Sequence, residues 1–499
     1  MKDSPVILNI ILIQGIHSMA ESFHFKYLKP LHFNPCRQSD VAGILLDVHE
    51  ILSAAKKPTE FQEAVLKLVR CPWSNELLDL SEQIFLKLVT WQQDFLEENS
   101  DTAFPLNNHL RESIEEFLAV WQKLGAVYSH WLQGESQQRK KPQAFLLLRL
   151  FETLYRTLSL RAFFHWQLPE NIWRDIHSVY RLAGERDIIS LSTKLPGLRH
   201  GKRTALEKRY KQSLLLGLAE PFALLPREIR LLEALMEKWA PLLVLESTVG
   251  MGWRIHFNED VPAVWADDDS SLRINFSSLV KLLKEHRAFA SKVGRFEYWE
   301  QESNETLSLD LLDQLVQSWL GAEPEIEQPP ERCHLVAGFK PVFQYLAQEE
   351  KPSIWMAMGQ GEWLECHVTL GSLQIGDLVG IITNDLLDHL AVVAQLKQTE
   401  TDLDSVLLKL QPLLHEVTPV GVQPLVTIQK LQTYQRGLLG KIEGRDVLLL
   451  QQQPVEAGTM IRVLREDMAY PVKLEEKANP ARGVLQFTCR IGVNEHPSQ

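Results

Sequence analysis

The sequence predicts a multidomain α+β protein with an N-terminal all-α bundle or solenoid, a small α+β middle domain, a C-terminal β-barrel and, after it, a second small β-domain. Three changes of pattern along the chain lead to this prediction. Helical patterning fills residues 25–243, and strand and helix patterns alternate over residues 244–320. After residue 350, short strand-like segments recur every roughly 8–12 residues, which is typical of a small antiparallel barrel.

The N-terminal region, residues 25–243, has the polar punctuation of a series of helices. Ser39 or Asp40 is placed to cap a first helix that ends just before Pro58, because proline cannot continue it. The segment Ala144–Trp166 is apolar around nearly its whole circumference. This pattern predicts a helix buried among other helices.

The middle region changes period from helix to strand and back again. We predict a helix from Ser277 or Ser278 through His286, and a closing helix at Leu307–Leu320. Residues 321–330 are rich in Glu and Pro and predict a linker. The predicted strands of the middle domain are Leu243–Glu246, Trp253–Phe257 and Leu272–Phe276.

The barrel is assigned to residues 331–425 and the second β-domain to residues 426–495. Alternation supports the barrel, since Val406, Leu408 and Leu410 fall on one face of a single strand. The predicted barrel strands are Ser353–Met358, Leu364–Leu370, Asp377–Thr383, His389–Leu396 and Asp404–Leu410. The segment Val420–Val426 leads into the second domain. The predicted strands of that domain are Gly437–Ile442, Arg445–Leu450, Thr459–Leu464 and Arg482–Ile491.

Charge and cysteine usage restrict the function classes. A net charge of −12 excludes a protein whose main role is to coat nucleic acid, so no DNA or RNA partner is expected. Five scattered cysteines without a CxxC pair indicate reduced thiols, a cytoplasmic protein and no metal site. The pairs Cys333-His334 and Cys366-His367 are interpreted as strand residues on opposite faces, with the cysteines in the core.

The N-terminal residues 1–20 are predicted to be a disordered tail or the product of a mispredicted start, with Met1 and Met19 as the alternative first residues. A signal peptide cleaved near Ser18-Met19-Ala20 is the alternative interpretation. The apolar run Pro5–Ile16 is shorter than the roughly 20 residues that span a bilayer. No other segment is long enough, so no membrane span is expected.

One dense basic segment is the electrostatic candidate for a partner or an anion. Such clusters can hold phosphates or an acidic partner. A solvated loop leading into a helix from Thr204 is the alternative interpretation. The six residues of this candidate patch are Arg199, Lys202, Arg203, Lys208, Arg209 and Lys211.

The usual catalytic motifs do not occur in the sequence. Gly250-Met251-Gly252 is too short for a phosphate loop, and neither HExxH nor a GxSxG elbow is present. We therefore expect a protein that is not an enzyme and that carries no catalytic residue and no resident cofactor.

Several segments together resemble a known group of proteins. Ile354-Trp355-Met356-Ala357, Gly371–Gly380 and Leu390–Ala394 resemble the core of a degenerate PilZ-like barrel in large, mostly uncharacterised proteobacterial proteins. The helical middle of the same group is resembled by Trp166, Pro169-Glu170, Trp173, His177–Ala183, Ala219–Phe222, Pro226–Glu228 and Trp239–Leu242. The resemblance covers most of the chain from about residue 25 onward, and its motifs are structural rather than chemical.

The PilZ resemblance implies cyclic di-GMP as a ligand, through an RxxxR motif and a later [D/N]xSxxG motif. This chain departs from both motifs, since no two arginines stand four apart in Glu331–Lys340, and Ala357–Glu362 lacks the acidic, Ser and Gly residues in register. Arginine matters there because its planar fork holds phosphate and guanine bidentately. The candidate nucleotide-binding residues that remain are Arg332, His334, Lys340 and Gln360.

Two function classes follow from these observations. The first is a signalling adaptor resembling PilZ-type cyclic di-GMP effectors, with degenerate nucleotide motifs and an unidentified protein partner on the helical domain. The second is a structural or assembly scaffold with no nucleotide ligand. Binding of cyclic di-GMP distinguishes the two, and the sequence leaves the partner and the oligomeric state open.

Overall fold

The computed structural model describes residues 25–28, 40–71, 74–134, 139–194, 203–268, 271–292, 297–300, 305–321, 328–349, 352–369, 371–399, 405–424, 434–451, 455–465 and 468–491. Contacts divide the chain into two compact units. The helical unit comprises residues 1–102, 108–221 and 226–323, and the barrel unit comprises residues 103–107, 222–225 and 324–499. The predicted tail at residues 1–20 and most of the predicted linker lie outside the described residues.

The helical unit begins with a series of α-helices. A 3-10 turn at Pro58–Glu60 separates the first two helices, as the proline predicts. The Ser74 hydroxyl accepts a hydrogen bond from the Leu77 amide and caps the third helix. These helices are α1 (Val41–Ala54), α2 (Phe61–Val69), α3 (Asn75–Glu98), α4 (Asn108–Gly134), α5 (Lys140–Phe163), α6 (Ile172–Glu185), α7 (Leu206–Gly217) and α8 (Pro226–Trp239).

Helix α5 is buried on almost every side, which confirms the prediction from its apolar circumference. A buried ion pair lies within this packing, since Arg149 Nε donates to Glu82 Oε1 at 2.7 Å. Helix α6 is held at its N-terminus by Asp260, whose carboxylate accepts the Trp173 amide at 2.9 Å. The carboxylates of Glu82 and Asp260 are therefore both hydrogen-bonded.

The small sheet predicted for the middle region is present in the helical unit, in the antiparallel order β3-β6-β4-β5. The sequence did not predict β5 or the hairpin of β7 and β8. A two-stranded hairpin of β1 (Thr193–Lys194) and β2 (Arg203–Thr204) precedes α7. The remaining elements are β3 (Val244–Glu246), β4 (Gly252–Ile255), β5 (Val264–Ala266), β6 (Leu272–Asn275), α9 (Ser277–Lys292), β7 (Glu297–Glu300), β8 (Glu305–Ser308) and α10 (Leu309–Trp319).

The barrel unit begins with a closed ring of six antiparallel strands. The order is β11-β10-β9-β12-β13-β14, and β14 pairs back with β11 to close the ring. Closure leaves no free edge in this sheet. Its elements are β9 (Arg332–Ala337), α11 (Phe339–Ala347), β10 (Trp355–Gln360), β11 (Trp363–His367), β12 (Leu378–Thr383), β13 (Leu386–Gln398) and β14 (Ser405–Pro424).

A second ring of six strands shares β14 with the first. The order is β14-β15-β16-β19-β18-β17, and β17 pairs back with β14 through Gly421↔Leu464. A register shift in β14 between His415 and Thr418 separates the two halves of the shared strand. The second ring adds β15 (Gln435–Ile442), β16 (Arg445–Gln451), β17 (Met460–Arg465), β18 (Met468–Ala481) and β19 (Val484–Ile491).

The part of β14 that lies in the first ring follows the predicted alternation. Val406, Leu408 and Leu410 are buried, whereas Leu407 and Lys409 between them are partly exposed. Cys333 and Cys366 are buried inside the first ring, which confirms their interpretation as core residues. The fold class predicted from the sequence is therefore confirmed, with helices first, a mixed middle region and then β-barrels.

Among the described residues, none of the helices combines the length and the hydropathy that spanning a bilayer requires.

Candidate functional site

The predicted nucleotide residues lie on the first ring but do not converge. Arg332 and His334 lie on β9, and both alternate with the buried Cys333 and Leu335. Their side chains therefore project from the outer wall. Gln360 lies at the same end of the sheet as Arg332, because Met358 on β10 pairs with Arg332 on β9. Lys340 is in α11, beyond the other end of β9.

The spacing along β9 separates the two predicted cations. Five residue steps from Arg332 to Ala337 span about 16 Å at roughly 3.3 Å per residue, and Lys340 follows beyond them. The Arg332 guanidinium approaches the Met356 sulfur at 3.4 Å, and the Gln360 amide donates to Glu365. One arginine and one lysine at opposite ends of a strand do not make the paired clamp that a PilZ motif supplies.

The basic segment before α7 is only partly described. Arg199 and Lys202 lie outside the described residues, and so does the side chain of Arg203. The remaining three cations are each paired with carboxylates: Lys208 with Glu237, Arg209 with Glu152 at 2.6 Å, and Lys211 with Glu207 at 2.8 Å. The Arg209 side chain is 10% exposed, so it is a core residue and not part of a solvated loop.

A groove that the sequence did not predict lies between α3, α4 and the 3-10 turn before α2. Its volume is about 390 Å³. Helix α3 contributes four residues at the i, i+3, i+4 and i+7 spacing of one helix face, and α4 contributes five with the same spacing. The lining residues are Trp91, Asp94, Phe95 and Glu98 from α3, His109, Glu112, Ser113, Glu116 and Phe117 from α4, and Lys56, Lys57 and Pro58 from the turn.

The groove has an aromatic floor. Trp91 stacks on the buried Phe61 with ring centroids 5.2 Å apart, and Phe95 packs against Phe117 at 5.3 Å. Lys87 lies over Trp91 and donates to the Ala55 carbonyl at 2.8 Å, which fixes the end of α1 beside the groove. Trp91 also lines a second hollow, of about 530 Å³, between α1 and α3. The floor is therefore held in place by packing within the helical unit.

The walls of the groove are acidic. Asp94, Glu98, Glu112 and Glu116 line it, and none of these carboxylates forms an ion pair with another described residue. Lys56, Lys57 and His109 lie on the same rim and offset part of this charge. An aromatic floor between unpaired carboxylates suits a segment that carries both an apolar side chain and Lys or Arg.

One sequence pattern, the spacing of acidic and aromatic residues, indicates the two helix faces that form this groove. The acidic and aromatic residues of α3 and α4 recur at helical spacing, but sequence alone does not show that the two stripes face each other. Among the tryptophans of the helical region, Trp121 is buried in the core, whereas Trp91 is half-buried in the groove.

Comparison with known proteins gives similarity over the helical part. The model of the family "Cyclic-di-GMP receptor FimW, N-terminal domain" matches residues 51–248. The Cyclic-di-GMP receptor FimW of Pseudomonas aeruginosa is 26% identical over 141 residues, which are 28% of this chain and 23% of that relative. The matched length is thus about a quarter of the curated relative. Residues 51–248, which the family model matches, contain the groove residues of α3 and α4, and the barrel strands lie outside this range.

Proposed function

We propose that this chain is a non-enzymatic bacterial signalling adaptor resembling PilZ-type cyclic di-GMP effectors. The observation that carries the proposal is the match of residues 51–248 to the N-terminal domain of a cyclic di-GMP receptor. That segment builds the groove between α3 and α4. In this proposal the helical unit binds a protein partner and the barrel unit binds the nucleotide.

The partner contact is assigned to the acidic, aromatic groove. Trp91 and Phe95 offer the kind of partly buried aromatic surface that anchors protein interfaces. Glu112 and Glu116 select a basic partner segment by charge. The basic segment before α7 remains a second candidate contact through Arg199, Lys202 and Arg203.

Nucleotide binding is proposed to be weak. A cyclic dinucleotide carries two phosphates, and each charge-assisted hydrogen bond contributes about 1.5–3 kcal/mol. Arg332 and Lys340 are too far apart to act as one clamp. We therefore expect a dissociation constant in the micromolar range or above for cyclic di-GMP.

The nucleotide part is tested by calorimetry on the full chain with cyclic di-GMP. Micromolar or weaker binding supports the proposal. A submicromolar dissociation constant that is abolished in Arg332→Ala overturns the conclusion that the motif is degenerate. Complete absence of binding favours the alternative, a structural or assembly scaffold with no nucleotide ligand.

The partner part is tested with two matched variants on α4. Glu112 lines the groove and Glu115, also exposed, does not. Affinity purification of the full chain from cells should lose a partner with Glu112→Lys and keep it with Glu115→Lys. Equal recovery with both variants excludes the groove as the contact.

A further inference from the structure

A cluster of two lysines and a tryptophan lies on the outer wall of the first ring. Trp363 begins β11, Lys397 is near the end of β13, and Lys409 is in β14. The strand register places the three residues together. Lys409 on β14 is opposite Gln395, which is two residues from Lys397 on β13. Leu364, which follows Trp363 on β11, is opposite Leu408, which precedes Lys409 on β14. The buried Leu364, Leu396 and Leu408 alternate with the three cluster residues, which therefore face outward.

The two ammonium groups share one aromatic ring. Lys397 Nζ is 4.5 Å from the ring centroid of Trp363, and Lys409 Nζ is 4.9 Å from it. Lys397 Nζ also lies 4.9 Å from the ring centroid of Phe222, which belongs to the same unit. Cation–π contacts of this kind hold an ammonium group without neutralising its charge.

The charges of the cluster are only partly balanced. Lys409 pairs with Glu362 at 2.9 Å, but the Glu362 side chain is 79% exposed and stands at a turn. Lys397 forms no ion pair with any described carboxylate. Burial, and then the nearby charge of Lys409, lower the pKa of Lys397. Among the described residues, the two close ammonium groups have one exposed counter-ion between them, and such a pair of cations attracts an anion.

We infer that Trp363, Lys397 and Lys409 form a binding site for the phosphate of a nucleotide. The lysines supply point charges for a phosphate, and the half-buried indole beside them supplies an aromatic surface for the base. The inference rests on the proposed function, because it places that nucleotide on this ring and away from Arg332. Glu362 competes with the ligand for Lys409.

Calorimetry on the full chain with cyclic di-GMP, GMP and inorganic phosphate tests the site. We expect both nucleotides to bind more tightly than phosphate, because phosphate lacks a base to stack. Lys397→Met should weaken nucleotide binding by about tenfold or more, since it removes a charge-assisted contact. Lys397→Arg should retain binding, and Glu362→Gln should strengthen it by freeing Lys409.

The controls separate this site from the proposed function. Lys441→Met removes an exposed cation that is paired with Glu416 elsewhere in the unit and should leave binding unchanged. If the wild-type chain binds cyclic di-GMP and Lys397→Met binds it equally, the inference is wrong and the proposed function stands. If none of the three ligands binds the wild-type chain, both the site and the nucleotide part of the proposal are wrong. Circular dichroism of each variant excludes unfolding as the cause of a loss.

Discussion

Replacing Arg149 by methionine should destabilise the helical unit by about 3–5 kcal/mol near neutral pH, because it leaves a buried carboxylate without its counter-ion. The Arg149 side chain is 1% exposed and that of Glu82 is 10% exposed. Two hydrogen bonds join their head groups, and the Tyr128 hydroxyl donates a third to Glu82 at 3.3 Å. The guanidinium also lies 4.0 Å from the ring centroid of Phe85, so the variant loses packing as well as charge.

The pH dependence of the Arg149→Met variant distinguishes a charge effect from a packing effect. Burial raises the pKa of Glu82, and Arg149 opposes that rise. Without Arg149 the pKa of Glu82 rises further in the folded state, while its pKa in the unfolded state stays at about 4.3. A carboxyl whose folded pKa is raised favours folding at low pH, and this contribution is lost as pH rises through the folded pKa. The cost of Arg149→Met should therefore shrink as pH falls towards the unfolded value.

Urea unfolding at about pH 7 and at about pH 5, followed by the helical circular dichroism signal, measures how the loss of stability in Arg149→Met depends on pH. The double variant Glu82→Leu/Arg149→Met should recover most of the loss, because neither charge is then buried alone. Arg230→Met is the control, since Arg230 and Glu97 form an exposed pair worth about 0–1 kcal/mol. A loss below about 1 kcal/mol for Arg149→Met, or a loss independent of pH, would refute the reasoning.

Three further outcomes are expected. Asp260→Ala should lower the free energy of unfolding by about 0.5–2 kcal/mol in urea titrations, because it removes the acceptor at the start of α6, whereas Asp260→Asn should lose less. Leu408→Ala should lower the free energy of unfolding by about 2–5 kcal/mol in the same titration, and Leu407→Ala should lower it far less. Equal losses for the two variants would contradict the assignment of Leu408 to the inward face of β14. Burial raises the pKa of Cys333 to about 11 and that of Cys366 to about 12, so both thiols should react with a thiol reagent only after unfolding, and rapid labelling of the native chain would exclude this burial.

The sequence by itself determined the elements whose signal is local. Helix α5 is predictable because its apolar residues occupy every face, and Pro58 marks the boundary between α1 and α2. The inward face of β14 follows from the period of two in Val406, Leu408 and Leu410. The turn between β15 and β16 is encoded by Glu443-Gly444, where both residues have positive φ, as a tight hairpin requires.

Only the tertiary structure decided which strands pair and which side chains meet. The sequence indicated strand residues at Cys333-His334 but not their partners, and β9 pairs with two strands, β10 and β12, that follow it in sequence. Strand β14 is one continuous strand of 20 residues that serves both rings, where the sequence predicted two separate segments. Trp363, Lys397 and Lys409 come from three different strands, and the acidic walls of the groove come from two helices. The physical reason is that local periodicity indicates only which face of a helix or strand is apolar. The element that packs against this face is determined by contacts between residues far apart in the chain.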